Sequence, residues 1–500
     1  MNEHQFLALL PFMVLAAASI MVILLIAFGR SHTVIQVTGF AMMCGVVLSM
    51  WYVKDTLPGE LPPLLVVDGL GALFTGLIIF SVLVVGLFSF IYFEEREENP
   101  KEYYILLFLS TLGAAVLTIS RHFISLFIGL ELLSVSLYAL IAYLRTRNNA
   151  VEAGTKYLVL AALSSAFLLF GMALIYMEAG SLEFTAIAQA IPVPGASTRI
   201  EHPVPDPGAS ILFIMGIGIM VVAIGFKLAL VPFHLWAADV YQGAPSPVTV
   251  FIATVSKIGV FAVLLRFAQV LHLQNHPQAI TVFSVIAIAS MIAGNLLALR
   301  QQNIKRLLAY SSISHFGYLL VAFLPGNAAG TKAALFYLMA YSITLLLAFG
   351  VIIFLSSPGE DAEDIALYRG LFWKHPLMGA VLTIALLSLA GIPLTAGFLA
   401  KFFVLGAAIE QRLWLLVIVL VLTSVIGLYY YLRIINTLFA MAAPGPAKEK
   451  PLRPLLYFAM NATLIVLVCL LLWLGIFPRP AIKEIEEFLN IYSKSFGPPS

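Results

Sequence analysis

Apolar runs of about 20 residues, divided by short polar stretches, recur along the whole chain. They centre near residues 17, 43, 80, 112, 132, 165, 220, 259, 289, 314, 344, 392, 425 and 466. The pattern predicts an all-α integral membrane protein with about 14 transmembrane helices, in one polytopic domain over residues 1–500. The alternation of a β-barrel is absent. The first run, about residues 6–28, lacks a basic leader and a small-residue cleavage site, so it reads as a retained helix. The longest polar stretch, 179–209, is rich in proline and too short for a domain; it reads as a loop.

Two runs are interrupted alike. "LALVPFHLW" in helix 7 has a partner in "LAGIPLTAGF" in helix 12, each with a proline in mid-span. A broken helix is tolerated only where its freed backbone groups meet protein or water, and matching breaks in two halves point to a transport site. The spacing of five helices makes the two units inverted with respect to one another. The plainer reading is a pair of ordinary proline kinks.

Composition sharpens this picture. The chain is 61% hydrophobic and 10% charged, outside the range of a soluble protein of 500 residues. A net charge of +2, spread over many loops, gives no support for nucleic-acid binding. Cys44 and Cys469 stand alone in apolar runs, and no dinucleotide or phosphate-loop motif is present. No cofactor is therefore expected in this chain. Lys and Arg favour the loops after odd-numbered helices by roughly 13 to nine, which places both termini on the outer side.

Charges within the spans carry the chemistry. Glu131, Lys227, Lys257, Lys401 and Arg433 fall well inside, and Lys156 about one turn inside. Each ion near the bilayer centre costs ~2.5–3.5 kcal/mol on insertion scales unless paired or hydrated. Lysine can lose its proton when buried whereas arginine does not, so a row of lysines suits proton traffic. Glu131 reads as the partner of Lys227, or as a structural ion pair. Lys401 reads as the counterpart of Lys227 at the second break, and Arg433 as an anchor. His234 in the first break and His315, among Ser311, Ser312 and Ser314, are relays or satisfied structural groups. Asp239 reads first as a cap or pair, and Lys305 and Arg306 as inner-face charges.

The segments "GFKLALVPFHLWAADVYQGAPSPVTVFIATVSKIGVF", "QQNIKRLLAYSSISHFGYLLVA", "LFIGLELLSVSLYAL" and "SLAGIPLTAGFLAKF" resemble the antiporter-like, N-type membrane subunits of bacterial respiratory complex I, the proton-pumping NADH:quinone oxidoreductase. The likeness runs from about residue 6 to 476. It implies two inverted repeats, helices 4–8 (about 103–270) and 9–13 (about 278–440). It also implies a proton-translocation row of Glu131, Lys227, Lys257 and Lys401, with Lys156 and Asp239 at further charged positions of the same motifs. By the same resemblance the chain is a non-redox subunit of a translocase in the bacterial inner membrane, its termini periplasmic. NADH, FMN, iron–sulfur clusters and quinone then belong to partner subunits, among them sister antiporter-like subunits. The rival readings are a cation/proton antiporter subunit, a membrane subunit of a related hydrogenase complex, and a structural membrane subunit.

Overall fold

A computed structural model describes residues 3–94, 100–190, 211–357, 359–441 and 454–496. The helices run α1 (Glu3–Ala27), α2 (His32–Val53), α3 (Gly69–Glu94), α4 (Lys101–Thr118), α5 (Phe123–Ile141), α6 (Asn148–Ala179), α7 (Phe184–Ala190), α8 (Ile211–Leu228), α9 (Trp236–Gly243) and α10 (Ser246–Phe251). They continue as α11 (Lys257–Val270), α12 (Pro277–Leu299), α13 (Ile304–Phe323), α14 (Ala328–Leu355), α15 (Leu371–Lys374), α16 (Pro376–Ala390), α17 (Ala396–Glu410), α18 (Trp414–Phe439), α19 (Pro454–Ile476) and α20 (Arg479–Phe496). One small antiparallel hairpin, β1 (Gly59–Leu61) and β2 (Leu65–Val67), pairs Glu60 with Val66.

The protein is an all-α integral membrane protein. Among the described residues, eleven helices or joined helices are long and apolar enough to cross a bilayer. The three remaining sequence centres fall on α4, on α13 and on the α16–α17 pair. α13 is nearly all buried and tolerates Lys305, His315 and five serines or tyrosines because protein, not lipid, surrounds it. Large apolar side chains face outward from the rim, as at Trp51, Val159 and Phe458, where lipid or a partner subunit covers them.

Local signals set the helix ends. Asn303 accepts from the Arg306 amide to start α13, and Asn327 accepts from Gly330 to start α14. Gly180, at φ +65°, ends α6 in the left-handed conformation. Two sequence expectations change. The stretch read as a loop from 179 begins with α7, whose Phe184 packs edge-on against Phe123 and Phe267; residues 191–209 lie outside the described part. Arg266, counted among the loop cations, is inside α11 and fully buried. Of the other cations used for orientation, Arg96, Arg199, Lys448, Lys450 and Arg453, and the side chain of Lys494, lie outside the described residues.

Below, the end of the bundle that carries Arg147 and Lys305 is termed the basic face, and the end that carries Arg121 and Lys332 the opposite face. α20 lies across the opposite face: Ile485 is buried beneath it, Glu487 pairs with Lys54 at 3.2 Å and Glu486 with Lys332 at 2.8 Å.

Candidate functional site: a row of buried lysines

The chain α8–α9 is a helix broken over residues 229–235. Ala229 takes φ +59°, a conformation costly to any residue with a Cβ, and the surroundings hold it there. The Trp236 indole donates across the break to the Phe226 carbonyl at 2.8 Å, and the Val231 amide donates to Ser290 at 3.0 Å. Freed backbone groups are thus satisfied by protein, as the break requires. Lys227 ends α8 only 3% exposed, and its ammonium donates to the Ser134 hydroxyl at 2.8 Å. The Tyr157 ring lies 5.6 Å away.

Glu131 sits one turn before Ser134 on the same face of α5 and accepts a short hydrogen bond from Ser165 of α6. The expected Glu131–Lys227 contact pair is not formed: each charge binds a serine, and no ion pair joins them within 4 Å. Both groups nevertheless lie at α5, where Ser134, the partner of Lys227, is one turn from Glu131. His234, in the break, is buried with its Nδ1 unpartnered among the described residues.

A π-helical turn, Ile252–Ser256, separates α10 from α11 and delivers Lys257 at the next position. Such bulges shift the helix register and leave carbonyls less tightly bonded. Lys257 is 1% exposed; it donates to Ser312 of α13 at 2.7 Å and lies 4.5 Å from the Phe316 ring centroid. The Tyr341 hydroxyl donates to the same Ser312 oxygen at 2.6 Å. Beyond it, the two ring nitrogens of His315 meet Tyr337 at 2.6 Å and Tyr431 at 3.2 Å, and Tyr431 bonds Ser311 closely. A small cavity of about 10 Å³, lined by His315, Tyr337, Tyr341, Thr344, Ser388 and Ala400, lies between this cluster and α17.

The second break lies between α16 and α17. Gly391 at φ +83° and Leu394 at φ +76° turn the chain. The left-handed backbone at Gly391 favours glycine, and a Cβ there would meet the Lys401 side chain at 3.0 Å. Lys401, 8% exposed, donates to the carbonyls of Leu389 and Ala390 at 2.9 and 3.0 Å, the two acceptors left over at the end of α16. As the order about the two prolines implies, Lys227 lies on the half-helix before its break and Lys401 on the half-helix after its own, so the two counterparts are not at equivalent positions. Ser388, bonded to Thr344 at 3.0 Å, occupies the position that Lys227 holds.

Lys156, Asp239 and Lys305 gather elsewhere, at the basic face. Asp239 of α9 takes Lys156 at 3.0 Å and Arg306 at 2.7 Å; Lys156 also takes Glu152 at 2.6 Å. Lys305, fully buried, donates to the Gln242 and Ala244 carbonyls at 3.0 and 2.7 Å, capping the end of α9, and to Asp361 at 3.0 Å. The short half-helix α9 is therefore held at its outer end by consecutive cations of α13.

Asp361 was not marked by the sequence. Its carboxylate is 1% exposed and accepts from Tyr92 at 2.7 Å, Arg147 at 3.2 Å, Lys305 at 3.0 Å and both the amide and hydroxyl of Ser246. Burial opposes its charge, yet Lys305, Ser246, Tyr92 and Arg147 hold the carboxyl well below the usual carboxylate range. Asp68 was missed too: it is fully buried, holds Arg266 through both oxygens and caps the Gly71 amide at 2.8 Å. No local motif marks either residue, because their partners lie far along the chain. Among the described residues no three of His, Cys, Asp and Glu converge as a metal site.

The model of the NADH:quinone oxidoreductase/Mrp antiporter transmembrane family matches residues 120–427, which contain both breaks and all four charged positions of the row. The chain belongs to this family. Similar solved structures agree with it. A chain of respiratory complex I from Thermus thermophilus, solved with bound aureothin, is 32% identical, with 95% of this chain and 98% of that one covered and a TM-score of 0.79. A chain of the membrane-bound sulfane sulfur reductase, an archaeal respiratory membrane complex, is 27% identical over 98% and 99% at a TM-score of 0.81. A chain of the Mrp complex from Dietzia sp. DQ12-45-1b, 21% identical over 99% of both chains with a TM-score of 0.83, shares the fold. Each of these three relatives is a chain of a larger complex.

Proposed function

We propose that this chain is the N-type proton-translocating subunit of a bacterial NADH:quinone oxidoreductase, with two inverted five-helix repeats in its membrane domain. It is a translocase subunit without a redox group of its own; NADH, FMN, iron–sulfur clusters and quinone are handled by partner subunits. The observation that carries the reading is the row of Lys227, Lys257 and Lys401, all nearly inaccessible and hydrogen-bonded to serine hydroxyls or freed carbonyls. Ions bound in this way cost energy that a structural anchor would recover from a carboxylate, so the row serves proton exchange. Lys257 passes a proton by way of Ser312 and Tyr341 toward His315 and the space beside α17, and Lys401 delivers it toward the opposite face. Glu131 biases Lys227 electrostatically from one turn along α5, where Ser134 holds the ammonium. Lys156, Asp239 and Lys305 hold α9 in place, and His234 lines the approach to Lys227.

The N-type assignment draws on the quoted motifs and on the higher identity to the complex I chain than to the Mrp chain. The rival is a cation/proton antiporter subunit driven by an ion gradient. Affinity isolation of the tagged chain from its native bacterial inner membrane separates them: co-purification of NADH- and quinone-reactive subunits is expected. Recovery with antiporter subunits alone, and sodium-dependent proton exchange, would replace the proposal with its rival.

A further inference from the structure

We propose that Arg266 and Arg433 are a matched pair of proton seals, each closing one five-helix unit at the end where protons must not pass. The inference rests on the two-unit reading of the translocation row. Arg266 lies near the end of α11, the fifth span of the first unit, and donates to the Thr118 carbonyl that ends α4, the first span, at 2.8 Å. Arg433 lies on α18, the fifth span of the second unit, and donates to the Leu299 carbonyl that ends α12, the first span, at 2.9 Å. Its other amino group takes the Gln301 carbonyl at 2.7 Å. In both units the last helix is thus tied by a guanidinium to the C-terminal end of the first. Because the units run in opposite senses, one arginine closes the opposite face and the other the basic face.

Position along each helix fits the role. Arg266 stands nine residues beyond Lys257 on the same helix, about 13 Å toward the opposite face. Arg433 stands two residues from Tyr431, which bonds His315, on the side toward the basic face. A guanidinium offers donors only and keeps its proton, so it cannot relay one, and its fixed charge raises the energy of an approaching excess proton. At Arg266 the charge is balanced by Asp68 and roofed by the Tyr492 ring of α20, 5.7 Å away, so that end is closed as a saturated plug. At Arg433 no carboxylate among the described residues pairs with the cation, and the barrier is its charge. On this proposal the first unit exchanges protons with the basic face and the second with the opposite face, so a proton crosses only by way of Lys257 and the His315 cluster.

Helix capping alone is the competing account. The test uses the assembled complex in vesicles, with passive proton flux driven by a potassium diffusion potential in the absence of NADH. Arg433→Gln, and separately the neutral pair Arg266→Gln with Asp68→Asn, are expected to raise that flux severalfold, with NADH oxidation raised to the rate of uncoupled wild-type enzyme and no longer accelerated by an uncoupler. Arg433→Lys, which keeps a cation but one able to release its proton, is expected to leak less than Arg433→Gln. Lys257→Met in the same vesicles reports NADH-driven pumping and so tests the translocation reading separately, since passive flux needs no turnover. Tight vesicles from the neutral variants overturn the proposal, as does equal leakage from Arg433→Lys and Arg433→Gln. If one neutral variant fails to assemble, the flux of the other decides.

Discussion

Lys401 rests on the carbonyl of Leu389, across the break that separates their half-helices, at 2.9 Å. Lys227 has no such bond to its own break and takes the Ser134 hydroxyl, which is itself bonded to the Leu130 carbonyl. Removing the two amines should therefore have unequal effects on stability. Lys401→Met leaves two buried carbonyls without a donor and is expected to cost about 1–3 kcal/mol. Lys227→Met leaves Ser134 satisfied and is expected to cost less. Thermal unfolding of the two variants in detergent, followed by helical circular dichroism, checks the order; a less stable Lys227→Met would contradict it.

Glu131 and Lys227 are bonded to separate serines, so their interaction acts across a gap. A double-mutant cycle on stability with Glu131→Gln and Lys227→Ala should give a coupling below about 1 kcal/mol, as for charges that do not touch. The same cycle read as protons pumped per electron should be strongly non-additive, with the double variant losing much less than the sum. Additive pumping losses would mean that the two groups do not act as a coupled switch.

Asp361→Asn should be the most damaging single change at the basic face. It leaves the fully buried Lys305 with Glu363, at 3.7 Å, as its remaining carboxylate, and a loss of about 3–5 kcal/mol is expected for breaking such a pair. The pH dependence follows from the depressed acidity of the Asp361 carboxyl. Its contribution is present above the unfolded-state value near 4 and fades as pH falls below that value toward the folded one. Wild-type protein should thus lose stability between about pH 4 and more acidic conditions, and the asparagine variant should lose less over that window. Equal acid sensitivity of the two proteins, measured by thermal unfolding, would contradict this.

Much of the fold was legible because the bilayer demands long apolar runs and tolerates few exceptions. Pro232 and Pro393 marked both breaks, and Glu131, Lys227, Lys257 and Lys401 stood out as ions in grease. The order of Lys227 before Pro232 and of Lys401 after Pro393 already placed the two lysines on opposite sides of their breaks, whereas the serine and carbonyl partners that hold them were not visible. The buried partnerships of Asp68 with Arg266 and of Asp361 with Lys305 were illegible for another reason. All four residues stand near span ends, where hydropathy reads a charge as solvated, and their contacts join distant parts of the chain. Tyr337, Tyr341 and Tyr431 read as ordinary apolar helix positions until α13, α14 and α18 bring their hydroxyls to His315 and Ser312.

Lys257 holds the centre of the row, and the proton-to-electron ratio of assembled Lys257→Met enzyme in vesicles tests the account most directly. Methionine fills similar space without an ion, so assembly should survive. Proton transfer through the site should fall by at least about tenfold, and coupled NADH oxidation should fall with it. Lys257→Arg, which keeps its proton, should fail to restore pumping. A fully assembled Lys257→Met complex that pumps at the wild-type ratio and rate would contradict the account.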